Sequence, residues 1–270
     1  MRKVIIPFNG GKFSEGAFSY AANLNETKPI LLTGIFLPHV DFARFFLFPV
    51  SLSESRLTFE KKAEEENIQK NIERFSSLCE QNNIQYKIHR NLDDFAIPEL
   101  TKESRFSDLL IIGSQIFFEN ISEEDYNLFL KDTLQHTECP VLVVPENFSF
   151  PSQNILAYDG SASSVFAIKQ FAYLFPDLCD NKTILVYAAE ETEDIPAHVN
   201  IEELAISHFA NLAITILDGQ KNFDDWVLKY ENPILISGSF GRPGFSLKFT
   251  KSFVINIIDA HKIPVFIAHQ

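Results

Sequence analysis

The chain has 270 residues, 46% of them hydrophobic, enough for a sizeable core and better suited to two domains than to one. Its 23 Lys and Arg against 36 Asp and Glu leave a net charge of −13, which argues against a broad basic footprint for nucleic acid or anionic lipid. Neither half is basic: 15 cations against 22 anions before Pro151 give −7, and 8 against 14 from Pro151 onward give −6. Cys79, Cys139 and Cys179 form neither a CxxC pair nor an even framework, a usage that fits a reducing cytoplasm and argues against a disulfide scaffold or a zinc site. The opening Met1-Arg-Lys-Val-Ile-Ile-Pro is too short an apolar run for a signal peptide. No uncharged apolar stretch reaches 18 residues, so no membrane span is expected.

The elements alternate in kind along the chain. Val4 to Phe8 reads as a buried strand ended by Asn9-Gly-Gly, and Ser14 to Leu24 places Ala17, Phe18, Ala21 and Ala22 at helical spacing. Ile30 to Phe36 is a second buried strand. Ser53 to Asn82 is a long charged helix, and Ile84 to His89 alternates like a strand near an edge. Ala96 to Ser104 predicts a helix, Asp108 to Ser114 a fourth strand, Asp125 to Thr137 a helix and Pro140 to Pro145 a fifth strand. The order then returns: strand from Asn154, helix Val165 to Leu174, strand Thr183 to Ala188, helix Ile201 to Leu212, strand Ala213 to Leu217, helix Phe223 to Tyr230, and strands at Pro233 to Ser239 and Ile263 to Ala268. Alternation of this kind implies βαβ units and a doubly wound parallel sheet. The repetition predicts two diverged copies of one α/β domain, 1–149 and 151–270.

In open parallel sheets, ligands bind beyond the carboxyl ends of the strands. In the second half these ends are Tyr158-Asp159-Gly160-Ser161 and Ser237-Gly-Ser-Phe-Gly-Arg-Pro-Gly-Phe, which runs on to a helix start near Lys251-Ser252. Glycines 238, 241 and 244 would let backbone approach an anion, and a helix N-terminus would add free N–H groups. The run is neither a Walker A loop nor a GxGxxG fingerprint. On spacing alone it is equally a phosphate cradle or a plain loop over the sheet edge.

Gly238-x2-Gly241-x9-Lys251-Ser252 resembles the G-x2-G-x9-G-[ST] nucleotide motif of the universal stress protein family. Asp159-Gly-Ser161, Ser164 and Ala167 are similar to that family's D-G-S-x2-S-x2-A opening. Asp108 to Ser114 and Cys139 to Pro145 resemble its fourth and fifth strands. The resemblance implies a tandem member with two five-stranded parallel domains of the adenine nucleotide alpha hydrolase-like kind. It implies a stress-response regulator that binds ATP or AMP, with Mg as an optional companion, and acts through ligand-dependent binding of an unknown protein partner. Asp159 would sit by the ribose or adenine and Ala188 would border the base. Gly238, Ser239, Gly241 and Ser252 would hold phosphates. Val141 to Val144 would pair with Val265 to Ile267 inside the chain as a pseudo-dimer, and a homodimer is a further possibility.

The departures are specific. The motif's third glycine is Lys251, which either crowds the triphosphate or offers it a cation. Near Gly113 the second glycine is missing and Glu119, Glu123, Glu124 and Asp125 appear; Asn9 stands where the second half has Asp159. Acids beside an anion site repel phosphate, so the first half reads as degenerate for nucleotide. No catalytic residue is expected. The seven His lack HxxxH or HExxH spacing, and no G-x-S-x-G elbow activates Ser239. At most slow ATP hydrolysis would occur, since no carboxylate or His is placed to activate water. Asp224-Asp225 reads as helix capping and Glu190 to Asp194 as a solvated loop. Phe42 to Phe48 reads as a lid or as an apolar contact for a partner. The alternative to nucleotide binding is an interaction module with both sites closed.

Overall fold

The computed structural model describes residues 1–9, 12–37, 54–90, 96–115, 133–134, 136–189, 194–218, 223–238 and 251–269. They fall into two compact units, Met1–Glu138 and Cys139–Gln270. The first holds β1 (Arg2–Asn9), α1 (Glu15–Thr27), β2 (Ile30–Leu37), α2 (Glu54–Gln81), β3 (Gln85–Arg90), α3 (Ala96–Ser104) and β4 (Leu109–Gly113). The second holds β5 (Val141–Val144), β6 (Gln153–Tyr158), α4 (Ala162–Leu174), β7 (Lys182–Ala189), α5 (His198–His208), β8 (Asn211–Asp218), α6 (Phe223–Val227), β9 (Pro233–Gly238), α7 (Lys251–Asp259) and β10 (Val265–Ala268).

In the first unit β1 lies between β2 and β4, β3 flanks β2, and every pairing is parallel. The second unit repeats the order: β6 lies between β7 and β9, with β8 beyond β7 and β10 beyond β9, all parallel. The central strands are apolar on both faces because helices cover both; Val4, Ile5 and Ile6 are wholly buried, as are Ile234, Leu235 and Ile236. β3 and β8 are the outer strands of their units; β3 alternates polar and apolar residues, whereas β8 is mostly apolar and leaves Ile216 exposed. β5 belongs to the second unit through an antiparallel pairing with β10: Val141 opposite Ile267, Leu142 opposite Phe266, Val143 opposite Val265. That is the pairing the sequence predicts for these segments.

Two predicted helices are shorter than expected. The stretch read as a helix to Leu212 stops at His208. The buried Phe209 closes it by donating its N–H to the Ala205 carbonyl, and Ala210 then donates to the Cys179 carbonyl. Asn211 Nδ2 donates to the Asp180 carbonyl at 2.8 Å, and β8 starts there, two residues earlier than predicted. The helix read from Phe223 to Tyr230 ends at Val227 in i→i−3 turns, Lys229 to Trp226 and Tyr230 to Val227. Most of the predicted helix Asp125 to Thr137, and Phe42 to Phe48, lie outside the described residues.

Candidate functional site

The carboxyl end of β6 leads into α4 through Asp159, Gly160 and Ser161. Asp159 Oδ1 accepts from the Ser161 N–H at 2.9 Å, which tightens the turn. Ser161 is the N-cap of α4: its Oγ accepts from the Ser164 N–H at 3.1 Å, and the Ser164 hydroxyl returns a bond to the Ser161 carbonyl at 2.9 Å. Gly160 has φ +79°, a conformation that favours glycine. A Cβ there would also stand 2.9 Å from the Pro196 Cβ.

Gly238 closes β9 directly against the first turn of α4. A Cβ on it would lie 2.2 Å from the Ser164 nitrogen and 2.3 Å from the Ser163 carbonyl carbon. Only glycine lets the strand end meet the helix backbone so closely, and it brings the positive end of the helix to the carboxyl edge of the sheet. The strand end and the helix backbone are packed directly together there, with no room for a side chain between them. Each residue of the D-G-S-x2-S-x2-A pattern therefore has a structural reason to be there. Asp159 tightens the turn, Gly160 takes its left-handed conformation, Ser161 and Ser164 form the cap, and Ala167 is wholly buried on α4.

Two tyrosines outside the sequence motif flank Asp159. Tyr158 on β6 is in register with Tyr187 on β7, with ring centroids 6.4 Å apart. Burial holds both phenols above the ordinary tyrosine range, and the Asp159 carboxylate adds to the shift. Tyr158 thus keeps its proton and donates it to the Pro196 carbonyl at 2.8 Å. The sequence signal for it is positional: a polar aromatic immediately before the acid at a strand end.

The remaining predicted site residues divide clearly. Asp159 and Gly238 both lie at carboxyl strand ends, beside the first turn of α4. Ala188 lies at the carboxyl end of β7, in register with Leu217. Lys251 and Ser252 open α7. Ser239 and Gly241 lie outside the described residues. Among the described residues no cluster of His, Cys, Asp and Glu could hold a metal ion. The three cysteines are buried and form no disulfide; burial pushes the Cys79 thiol up to about 12 and the Cys179 thiol up to about 11. His89 is engaged with Glu103 at 2.7 Å and His208 packs edge-on against Tyr173.

The first unit fills the equivalent strand ends differently. Phe8, in register with Phe36, takes the place of Tyr158 opposite Tyr187. Phe8 stacks on Phe13 at 4.7 Å and on Phe36 at 5.0 Å, and Phe75 from α2 meets Phe8, Phe18 and Phe36 edge-on. Arg74 lies over the Phe13 ring at 5.0 Å and is paired with Glu15. Ser14 caps α1 five positions beyond Asn9, whereas Ser161 caps α4 two positions beyond Asp159. The tight carboxylate turn is thus a feature of the second unit.

Together the sheet order, the parallel crossovers and the glycine-packed strand ends define a doubly wound α/β protein. The chain is similar over its whole length to a universal stress protein from Archaeoglobus fulgidus DSM 4304, at TM-score 0.64 and 14% identity, covering 96% of that chain. It is also similar to a functionally unknown protein from Pseudomonas aeruginosa PAO1, at TM-score 0.56 and 12% identity, over 100% of this chain and 92% of that one. A third likeness is to the cytoplasmic domain of a prokaryotic cation chloride cotransporter, at TM-score 0.50 and 10% identity, over 98% and 94%. No protein-family profile and no curated protein sequence matches it. The chain has the universal stress protein fold. No helix among the described residues is long and apolar enough to cross a membrane.

Proposed function

We propose that the second unit binds an adenine nucleotide, ATP or AMP, and that the protein is a stress-response regulator whose partner binding depends on that ligand. The observation that carries this reading is the meeting of Gly238 with the first turn of α4 beside Asp159, at the carboxyl ends of β9 and β6. Asp159 supplies a polar group for a ribose or base, and Ala188 stands at the next strand end. Gly238, Ser239, Gly241 and Ser252 supply backbone N–H groups and hydroxyls for phosphates, with Lys251 as a cation where the motif has glycine. Mg would accompany a triphosphate. The first unit, with phenylalanines at the matching positions, takes no nucleotide. The sequence repeats run 1–149 and 151–270, and β5 pairs antiparallel with β10 inside the chain. The protein is cytoplasmic.

The test is denaturing mass spectrometry of the purified chain for retained nucleotide, followed by calorimetric titration with ATP. One site per chain is expected, and Gly241→Val should weaken binding by about 1–3 kcal/mol, the scale of losing hydrogen bonds to a charged group. Wild type, Gly241→Val and Lys251→Gly all failing to bind at millimolar ATP would leave the interaction module as the reading. One observation favours that second reading: Pro196 already lies against Gly160, over the turn that would face the ligand.

A further inference from the structure

Residues 194–197, which lead into α5, reach back to the end of β6. α5 connects β7 to β8, on the far side of β7 from β9. Yet its approach, residues 194–197, reaches the turn after β6, where the Pro196 carbonyl accepts the Tyr158 hydroxyl at 2.8 Å and the Pro196 ring packs on Gly160. Ile195 is buried beside it. The segment then enters α5 through Ala197, at φ +48° and ψ +42°, with no side-chain cap on the helix. A left-handed alanine is strained, and it persists only where its surroundings over-determine it. Here those surroundings are one hydroxyl, one glycine-permitted contact and one buried isoleucine.

We propose that residues 194–197 form a strap, latched by the Tyr158 hydroxyl over the carboxyl end of β6, which an adenine nucleotide must lift to reach Asp159. This rests on the nucleotide reading above. The geometry gives the direction. Gly160 is itself exposed, but the Pro196 ring stands 2.9 Å from where its Cβ would be, so not even a methyl group fits on that face, and a ribose or base beside Asp159 needs that space. Lifting breaks the Tyr158 bond and relieves Ala197, and because Ala197 is the N-cap of α5, the first turn of α5 moves with it. Tyr158 is therefore a positioning residue, and the strap converts occupation of the site into a change at a neighbouring helix. A protein whose closed state must open before binding shows a weakened apparent affinity, and mutations that favour the open state restore it.

The experiment is hydrogen exchange by mass spectrometry on the full chain, with and without ATP, for wild type, Tyr158→Phe and Pro196→Ala, beside calorimetric titration of each. Without nucleotide, Tyr158→Phe should speed exchange of the amides from Ile195 to Ile201 by roughly threefold to tenfold, the effect of one lost hydrogen bond on a local opening. Both variants should bind ATP roughly threefold to tenfold more tightly than wild type, by the same conversion. ATP should speed exchange of the strap in wild type and change it little in Tyr158→Phe, a difference that a merely stabilising tyrosine would not produce. ATP binding to wild type with strap exchange unchanged or slowed overturns the strap while the nucleotide reading stands. Unchanged exchange in both variants without ATP overturns the latch. Absence of ATP binding in all three proteins overturns the nucleotide reading, and the gate with it.

Discussion

Four strands of each unit run in the same order, and the units differ most where their central strands end. In the second unit the register pair at that edge is Tyr158 and Tyr187, next to an acid, two serines and a glycine laid against helix backbone. In the first it is Phe8 and Phe36, joined by Phe13, Phe18 and Phe75 in one aromatic cluster. A phenol and a phenyl ring fill nearly the same volume, but the hydroxyl needs a partner and the phenyl needs only neighbours. One edge therefore holds polar groups in defined directions, and the other has become an extension of the core. A duplicated scaffold can keep its sheet while one copy of its crevice turns into packing.

The largest effect that would sharpen this comparison is on Phe75. Wholly buried and in ring contact with Phe8, Phe18, Phe36 and Tyr86, it should cost about 3–5 kcal/mol when changed to alanine, as large core truncations do. Denaturant unfolding followed by circular dichroism reads the loss. A change below about 1 kcal/mol would mean that the first unit's edge is not core.

Next come the two close-approach glycines. Gly238→Ala drives a methyl group into the backbone of Ser163 and Ser164, whereas Gly34→Ala meets ring atoms of Phe36 and Phe75 at 2.9 and 3.1 Å. Backbone in a capped helix cannot step aside as rings can. Gly238→Ala should therefore destabilise by about 2–3 kcal/mol and Gly34→Ala by about 1 kcal/mol, within the range for overpacked sites. Thermal unfolding of the two variants checks the order, and its reversal would break the account of Gly238.

Smaller again are the caps. Ser161→Ala and Ser14→Ala each remove an oxygen that accepts a backbone N–H, from Ser164 and from Ala17. Each should cost about 1 kcal/mol in denaturant unfolding. Ser161→Ala should cost the more, since its bond is 3.1 Å against 3.3 Å and its hydroxyl also donates to Ser164 Oγ at 3.4 Å.

Much of this is legible in the sequence because it is periodic. The apolar runs at Val4, Ile30, Leu109 and Pro233 fall in strands, and Ala96 to Ser104 is a helix with the predicted bounds. The chain has 27 phenylalanines, but composition cannot say that five of them meet at one strand edge, since that depends on β1, β2, α1 and α2 converging. The end of α5 escapes the sequence because the bonds that stop it, from Ala210 and Asn211 to Cys179 and Asp180, join residues about thirty apart. Asp159 and Gly238 are legible as a spacing. The strap is not: nothing in Asp194-Ile-Pro-Ala197 announces that its carbonyl will meet a tyrosine 38 positions earlier.

The smallest expected effect concerns the place where the first unit ends. Arg105, just beyond α3, presents its guanidinium as a fork to Glu138, with bonds of 2.8 and 2.6 Å, and the Glu138 N–H donates to Ser104 Oγ at 2.9 Å. The hydrogen bonds from Arg105, with its charge, hold the Glu138 carboxyl below the usual carboxylate range, against an opposing effect of desolvation. A depressed folded value means that the pair favours the folded state only while the carboxylate is charged. Its contribution is complete above the unfolded value near 4.5 and fades as pH falls through the lower folded value. Both side chains face solvent, so salt should screen the pair. Glu138→Gln should therefore lower the unfolding midpoint slightly at pH 7 and low salt, less at high salt, and not at all once the wild-type carboxyl is protonated. The Ser104 bond uses backbone and survives the substitution, so whatever difference persists in acid belongs to packing and not to charge. A deficit that stayed constant from pH 7 to pH 2 would show that the ion pair contributes nothing and that the backbone bond alone fixes Glu138 to the end of α3.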